Sequence, residues 1–355
     1  MTDWQRRLPF VLTTCGLLAV VAIDAVMGTP STGQPSMSPR AGSLSGPVPR
    51  IGIVYDLDGR GSAGLNDLAW EGAKRAADEF DAELKEMTAA PNDTDADREQ
   101  RLTELADANY YPIIAVGSTY AGPMARVAPR HPGMWFVLVD DATVDAPNVI
   151  GLQFNVEQGS FLVGAAAALT SKTGKIGFIG AVQVPLFQKF EAGFAAGAKA
   201  ANPLVEVQVA YLSRPPDDAG SSDSATARGA ALGMYNAGAD VIFGAAGESG
   251  SGVIQAAAER GLWAIGVDID QHRTSDPSVR GAILTSMLKR ADVATYTITM
   301  EVANGVPKDG NNVFGLDRGG VGFATSGGFV DPIRAQLDAF AAMIASGTIL
   351  VPTTP

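Results

Sequence analysis

The sequence predicts an α/β protein of two doubly wound lobes around a shared cleft, and three observations carry that prediction. From residue 50 onward, short apolar runs rich in β-branched residues alternate with amphipathic stretches, the pattern of βαβ units in parallel sheets covered on both faces. Eight such runs can be read, more than one small doubly wound sheet usually needs. The 355 residues also suit two domains of ordinary size better than one.

Composition narrows the function. Apolar residues make up 46% of the chain and charged residues 18%, enough for sizeable cores and too few charges for general disorder. The 38 acidic side chains outnumber the 26 basic ones, giving a net charge of -12. With no Lys/Arg-rich run, such a chain repels phosphate backbones, and nucleic acid is not an expected partner. One cysteine, Cys15, permits no internal disulfide, and the two distant histidines, His131 and His272, offer no zinc-type ligand set. Thiol and metal chemistry are not expected.

In chain order, Arg6-Arg7 precede a largely apolar run at 8–23, which places an export signal or a short membrane anchor at 1–28. Cys15 lies inside that run, behind Thr13-Thr14, rather than at its end after small residues, which argues against lipid attachment there. Residues 29–49 are dominated by Pro, Gly and Ser without an apolar period, the composition of a flexible tether. An apolar segment, a tether and an acidic body describe a protein displayed outside a membrane.

In the body, strands are expected at 51–55, 83–88, 112–116, 135–139, 175–179, 206–211, 241–244 and 264–267. Between them Leu65, Leu68, Ala69, Ala73, Ala76, Ala77 and Phe80 recur at helical spacing, as do the apolar residues of 161–169, 190–198 and 253–258. Ligands of such sheets bind at the carboxyl ends of the strands, so those ends hold the functional information. They read Asp56-Leu57-Asp58-Gly59, Gly117-Ser118-Thr119-Tyr120, Asp140-Asp141, Gly247-Glu248-Ser249-Gly250 and Asp268-Ile269-Asp270. Small and acidic residues, not basic ones, face the expected cleft, which suits neutral, hydroxyl-rich ligands better than phosphates.

Individual motifs admit a plain reading beside a functional one. Gly59-Arg60-Gly61-Ser62-Ala63-Gly64 matches GxGxxG letter for letter. Against a dinucleotide, Asp56, Leu57 and Asp58 separate the first glycine from the strand and add negative charge, and the second strand ends without an acid to hold a ribose. The loop is better read as part of a cleft. Asp268 and Asp270 would make a DxD pair, but past the strand end they need not share a face. Phe187 and Phe190, three apart, are either helix core or a stacking platform for a flat ring. Trp70 is core or cleft wall, and Lys289 is a solvated lysine or, beside Asp268, a donor to a ligand hydroxyl. No GxSxG, HExxH or GxxxxGK[ST] sequence occurs, and an enzyme is not expected.

The run Ile51-Gly52-Ile53-Val54-Tyr55-Asp56 through Gly61, followed by Asn66-Asp67-Leu68-Ala69-Trp70-Glu71-Gly72, resembles the opening of the basic membrane protein family of substrate-binding lipoproteins. Gly159-Ser160-Phe161-Leu162-Val163-Gly164, Thr173-Gly174-Lys175-Ile176-Gly177-Phe178, Phe190-Glu191-Ala192-Gly193-Phe194, Ile265-Gly266-Val267-Asp268, Thr285-Ser286 with Lys289, and Gly319-Gly320-Val321-Gly322 follow in the family's order. The resemblance implies a type I periplasmic-binding-protein fold, two lobes joined by three crossovers, that delivers a ligand to an ABC permease. It implies lobes of 50–152 plus about 271–318, and 153–270 plus about 319–355. In nucleoside-binding relatives an aromatic sandwich holds the base while an Asp and a Lys hold the ribose. Carried over by motif position, Asp268 and Lys289 would grip the ribose, Phe187 or Phe190 with Trp70 would hold the base, and Asn66, Ser118 and Gly247 would line the pocket.

Two departures bear on the ligand. Ser62 stands where the family usually has Asp, and Leu65 where it has Phe, so a charge-assisted bond at Ser62 becomes a neutral one of roughly half the strength. The expected function is an extracytoplasmic solute-binding protein of an ABC importer that takes a nucleoside-like molecule and uses no cofactor. The alternatives are a membrane-anchored sensor of the same fold and an NAD-type oxidoreductase at Gly59 to Gly64.

Overall fold

The computed structural model describes residues 49–355 other than 57, 58, 62, 63 and 91. The expected signal or anchor and the tether concern residues that, Pro49 apart, lie outside the described ones. In chain order a first sheet takes β1 (Arg50–Tyr55), α1 (Leu65–Phe80), β2 (Glu83–Thr88), α2 (Asp95–Asp107), β3 (Ile113–Val116), α3 (Ala121–Val127), β4 (Phe136–Val139) and β5 (Val149–Phe154). A second takes α4 (Val156–Thr170), β6 (Lys175–Val182), α5 (Pro185–Ala201), β7 (Glu206–Ser213), α6 (Ser224–Asn236), β8 (Val241–Ala245), α7 (Gly250–Arg260), β9 (Trp263–Asp268), α8 (Gln271–Thr274) and β10 (Ile283–Lys289). The chain then returns to the first sheet with α9 (Ala291–Ala303) and β11 (Gly310–Phe314), and ends on the second with β12 (Val321–Phe323) and α10 (Arg334–Ala345).

The sheet orders are β11-β5-β4-β3-β1-β2 and β12-β10-β9-β8-β6-β7. All pairings are parallel except that of β12 with β10. The pleat explains the continuous apolar runs. In β1, β3 and β4 the residues Ile53, Tyr55, Ile114, Val116, Val137 and Val139 face one layer, while Val54, Ile113, Ala115, Phe136 and Leu138 face the layer of α2 and α3. Every one of these residues is buried.

One expected boundary is corrected. Residues 271–290 were to accompany the first lobe, yet β10 pairs in parallel with β9 and belongs to the second sheet. Only the one-turn α8 and a short 3-10 turn separate the two strands, so the chain lands beside the strand it has just left. The three crossings meet in a small hydrogen-bonded knot. Asn155 N donates to the Phe314 carbonyl at 3.1 Å, Arg290 N to that of Gly320 at 2.8 Å, and Gly320 N to that of Gly315 at 2.8 Å. Gln158 Oε1 accepts from Leu316 N at 2.8 Å.

Helices α4 and α5 approach so closely that their glycines are steric requirements. A Cβ at Gly193 or Gly197 would overlap the carbonyl oxygen of Glu157 or Phe161, and one at Gly164 would overlap that of Phe194. Beneath this contact lies Glu157, buried, with Oε2 unpartnered and its pKa pushed up chiefly by burial. A carboxyl whose folded pKa is raised contributes stability below the ordinary glutamate range and loses it as the pH rises through the raised value. Glu157→Gln is therefore expected to raise the melting temperature at pH 7 and to lose that advantage toward pH 4, which melting curves across this range would check.

Candidate functional site

In the first sheet β1 lies between β2 and β3, and in the second β6 lies between β7 and β8. Each arrangement puts a topological switch point beside the first strand of its sheet, where ligands of such folds enter. Asp56 follows β1 and Gly117-Ser118 follow β3, flanking the first switch point. Phe187, in the first turn of α5 beyond β6, and Gly247, beyond β8, flank the second. Gly117 has φ +94, and a Cβ there would stand 3.0 Å from Asp56 Oδ2, so the turn and the close carboxylate both require glycine.

Three charged groups join the two sheets. Lys289, at the end of β10, is 5% exposed and donates from Nζ to Asp140 Oδ2 at 3.0 Å, across to the end of β4. Asp268, at the end of β9, places Oδ1 3.6 Å from the same nitrogen, beyond hydrogen-bond range, and that oxygen has no hydrogen-bond partner. Asp140 and Asp268 share a left-handed backbone, with φ 67 and φ 66, which is uncommon outside glycine and concentrates at functional sites. Burial opposes the Lys289 charge, but the two carboxylates outweigh it and hold the ammonium above the ordinary lysine value. Burial also pushes the Asp140 carboxyl up, only partly countered by Lys289. The result is a junction between the sheets with two carboxylates, one shared ammonium and an acceptor that makes no hydrogen bond.

The remaining expected residues divide. Asn66 is 5% exposed; its Nδ2 donates to Asp56 Oδ1 and to the Gly59 carbonyl, both at 2.8 Å, and its Oδ1 is buried without a partner. Ser118 and Gly247 are exposed at their strand ends. Phe190 is 3% exposed and packs on Phe243, which makes it core. Phe187 stacks over it at 6.2 Å and 29° and is only partly buried, so one ring of the pair is core and the other reaches the surface. Trp70 is partly covered: Arg60 lies 3.8 Å over its ring, and its Nε1 donates to Glu86 Oε1 at 3.1 Å. Ser62 lies outside the described residues.

Among the described residues, no group of three or more His, Cys, Asp or Glu side chains is placed to hold a metal ion. Nine residues separate the end of β1 from the start of α1, and Asn66 in the helix's first turn is already occupied by Asp56 and Gly59. A pyrophosphate fingerprint instead runs its first glycine directly off the strand.

Residues 51–354 match the family described as ABC transporter substrate-binding protein PnrA-like. The chain belongs to this Bmp family. It is 31% identical over 321 residues to the CD4+ T-cell-stimulating antigen of Listeria monocytogenes, covering 86% of this chain and 88% of the relative. It is 30% identical over 291 residues to the ABC transporter nucleoside-binding protein BmpA of Lactococcus lactis, covering 77% and 80%. Among solved structures, an ABC transporter solute-binding protein from Aeropyrum pernix K1 is similar at TM-score 0.66 and 27% identity, covering 85% of this chain and 94% of that one. The two-sheet architecture is the type I periplasmic-binding-protein fold, and the Bmp protein is an ABC transporter substrate-binding protein. The oxidoreductase alternative finds no support in this family.

Sequence reasoning placed Asp140 only among the strand ends, although it is the nearer of the two partners of Lys289 in this Bmp protein. Its Asp-Asp pair at a strand end was the available signal. Glu86, which gathers Tyr55 and Trp70 at 2.9 and 3.1 Å, carried no signal at all.

Proposed function

We propose that this protein binds a neutral, hydroxylated, nucleoside-like solute between its two sheets and presents it, unaltered, to an ABC permease on the outer side of the cytoplasmic membrane. The observation that carries the reading is the Lys289 cluster. A buried ammonium bridges the lobes while Asp268 Oδ1, 3.6 Å from it, makes no hydrogen bond, and a vicinal diol supplies donors for that acceptor. A phosphate would find only a lysine already shared by two carboxylates. Phe187 offers the exposed side of a stacked pair to a flat ring, and Asn66 Oδ1 offers a second acceptor. The nucleoside-binding relative from Lactococcus lactis is consistent with this choice.

The test is a thermal-shift panel of adenosine, guanosine, inosine, cytidine and uridine with their free bases, ribose and 5′-monophosphates. A solute at a hundred times its dissociation constant adds about 2.7 kcal/mol of stability. Nucleosides are expected to stabilise and monophosphates not to; a panel without any stabilising nucleoside overturns the reading. Asp268→Ala should then cost the bound nucleoside about 1.5–3 kcal/mol, the range for a hydrogen bond to a charged group. Titration calorimetry that shows unchanged affinity would remove Asp268 from the grip.

A further inference from the structure

Arg60, between β1 and α1, belongs to a cluster that the binding reading leaves unexplained. Arg60 Nε lies 3.3 Å from Glu86 Oε2 on the edge strand β2, and its guanidinium covers the Trp70 ring at 3.8 Å. The same Glu86 accepts from Trp70 Nε1 at 3.1 Å and from the Tyr55 hydroxyl at 2.9 Å. Two hydrogen-bond donors, from β1 and α1, and one cation from between them thus converge on one carboxylate. Next to Arg60, the Gly59 carbonyl accepts from Asn66 Nδ2, which also holds Asp56. Asn66 in turn keeps Oδ1 buried and unpartnered.

We infer that Arg60 is a positioning residue for solute binding: by clasping Trp70 and Glu86 it fixes Gly59, and through Gly59 it sets Asn66 and Asp56 at the mouth of the first sheet. A guanidinium suits the task because it stacks on an indole and bonds a carboxylate at once, whereas a lysine ammonium does the second without the flat stack. The clasp also reassigns Trp70 from holding the solute to holding the residue that orders its contacts. This inference rests on the binding reading above for its consequence, though not for its geometry.

The experiment compares the full chain with Arg60→Ala, Arg60→Lys and Glu86→Gln in two arms. In the solute-free protein, site-resolved amide exchange at Gly59 and Gly61, which bond Asp56 and Asp67, should quicken at least about tenfold in Arg60→Ala and less in Arg60→Lys, with the β1 amides unchanged. With the tightest nucleoside of the panel, Arg60→Ala should bind about tenfold more weakly through faster dissociation, and Arg60→Lys should recover part of the loss. Unchanged exchange overturns the clasp, and quickened exchange with parental affinity overturns its positioning role. A parent chain that binds no nucleoside defeats the proposed function instead, and the exchange arm still decides whether the clasp exists.

Discussion

Lys289→Met should abolish measurable nucleoside binding and lower unfolding stability by about 3 kcal/mol, the lower end of the cost of breaking a buried ion pair by removing one partner. The ammonium is almost wholly buried, and its removal leaves the Asp140 and Asp268 carboxylates without a counter-charge. The lower end applies because solvent reaches both acids, whose side chains are 29% and 38% exposed. Urea denaturation measures the stability change and titration calorimetry the binding. Asp140→Asn combined with Lys289→Met should recover part of the lost stability, since the stranded charge is then gone, and a double-mutant cycle isolates the pair. Additive effects of the two substitutions would show that Lys289 and Asp140 do not communicate.

Gly197→Val is expected to cost about 3 kcal/mol or more, against a total stability typically of about 5–15 kcal/mol. Its side chain would have to occupy the position of the Phe161 carbonyl, and a helix backbone cannot rotate out of the way as a side chain can. The neighbouring glycines fit the same interface, with Gly193 over Glu157 and Gly164 under Phe194, so the helices must separate along several turns or the sheet behind them must shift. Gly229→Ala is the control, because that glycine lies inside α6 with open space where a Cβ would go. It should stabilise by about 0.5–1 kcal/mol through helix propensity. Equal denaturation midpoints for Gly197→Val and the parent would refute the close-packed interface.

Much of the architecture was legible because buried parallel strands write themselves as apolar runs. Eight strands were expected and found, each close to its predicted limits, while β5, β10, β11 and β12 were not read as strands. β11 presents Gly310, Asn311 and Asn312 at a sheet edge, and β12 has three residues, so neither carries a long apolar signature. The sheet that β10 joins depended on which neighbour it paired with, and that is a long-range choice.

The site shows the same division between local and distant information. Asp268 and Lys289 were selected from strand-end positions and motif order, and the fold brings them to 3.6 Å. Helical spacing proposed both Phe187 and Phe190 but could not tell the core ring from the surface ring. That depends on Phe243, which packs from a strand more than fifty residues away. Trp70 had two open readings, core and cleft wall; its half-buried ring lies instead under Arg60 with Nε1 on Glu86, contacts that exist only when β2 lies beside β1.

What the sequence determined unaided was the class of fold, the acidic, small-residue character of the strand ends and the scarcity of cations to meet an anion, since periodicity and composition are local properties. Tertiary structure alone decided that Asp140 from one sheet and Asp268 from the other would share a single buried lysine. Lys289 and Asp140, 149 positions apart, leave no periodic trace of each other, and only the passage of the chain from the first sheet to the second brings their charges within Coulombic reach.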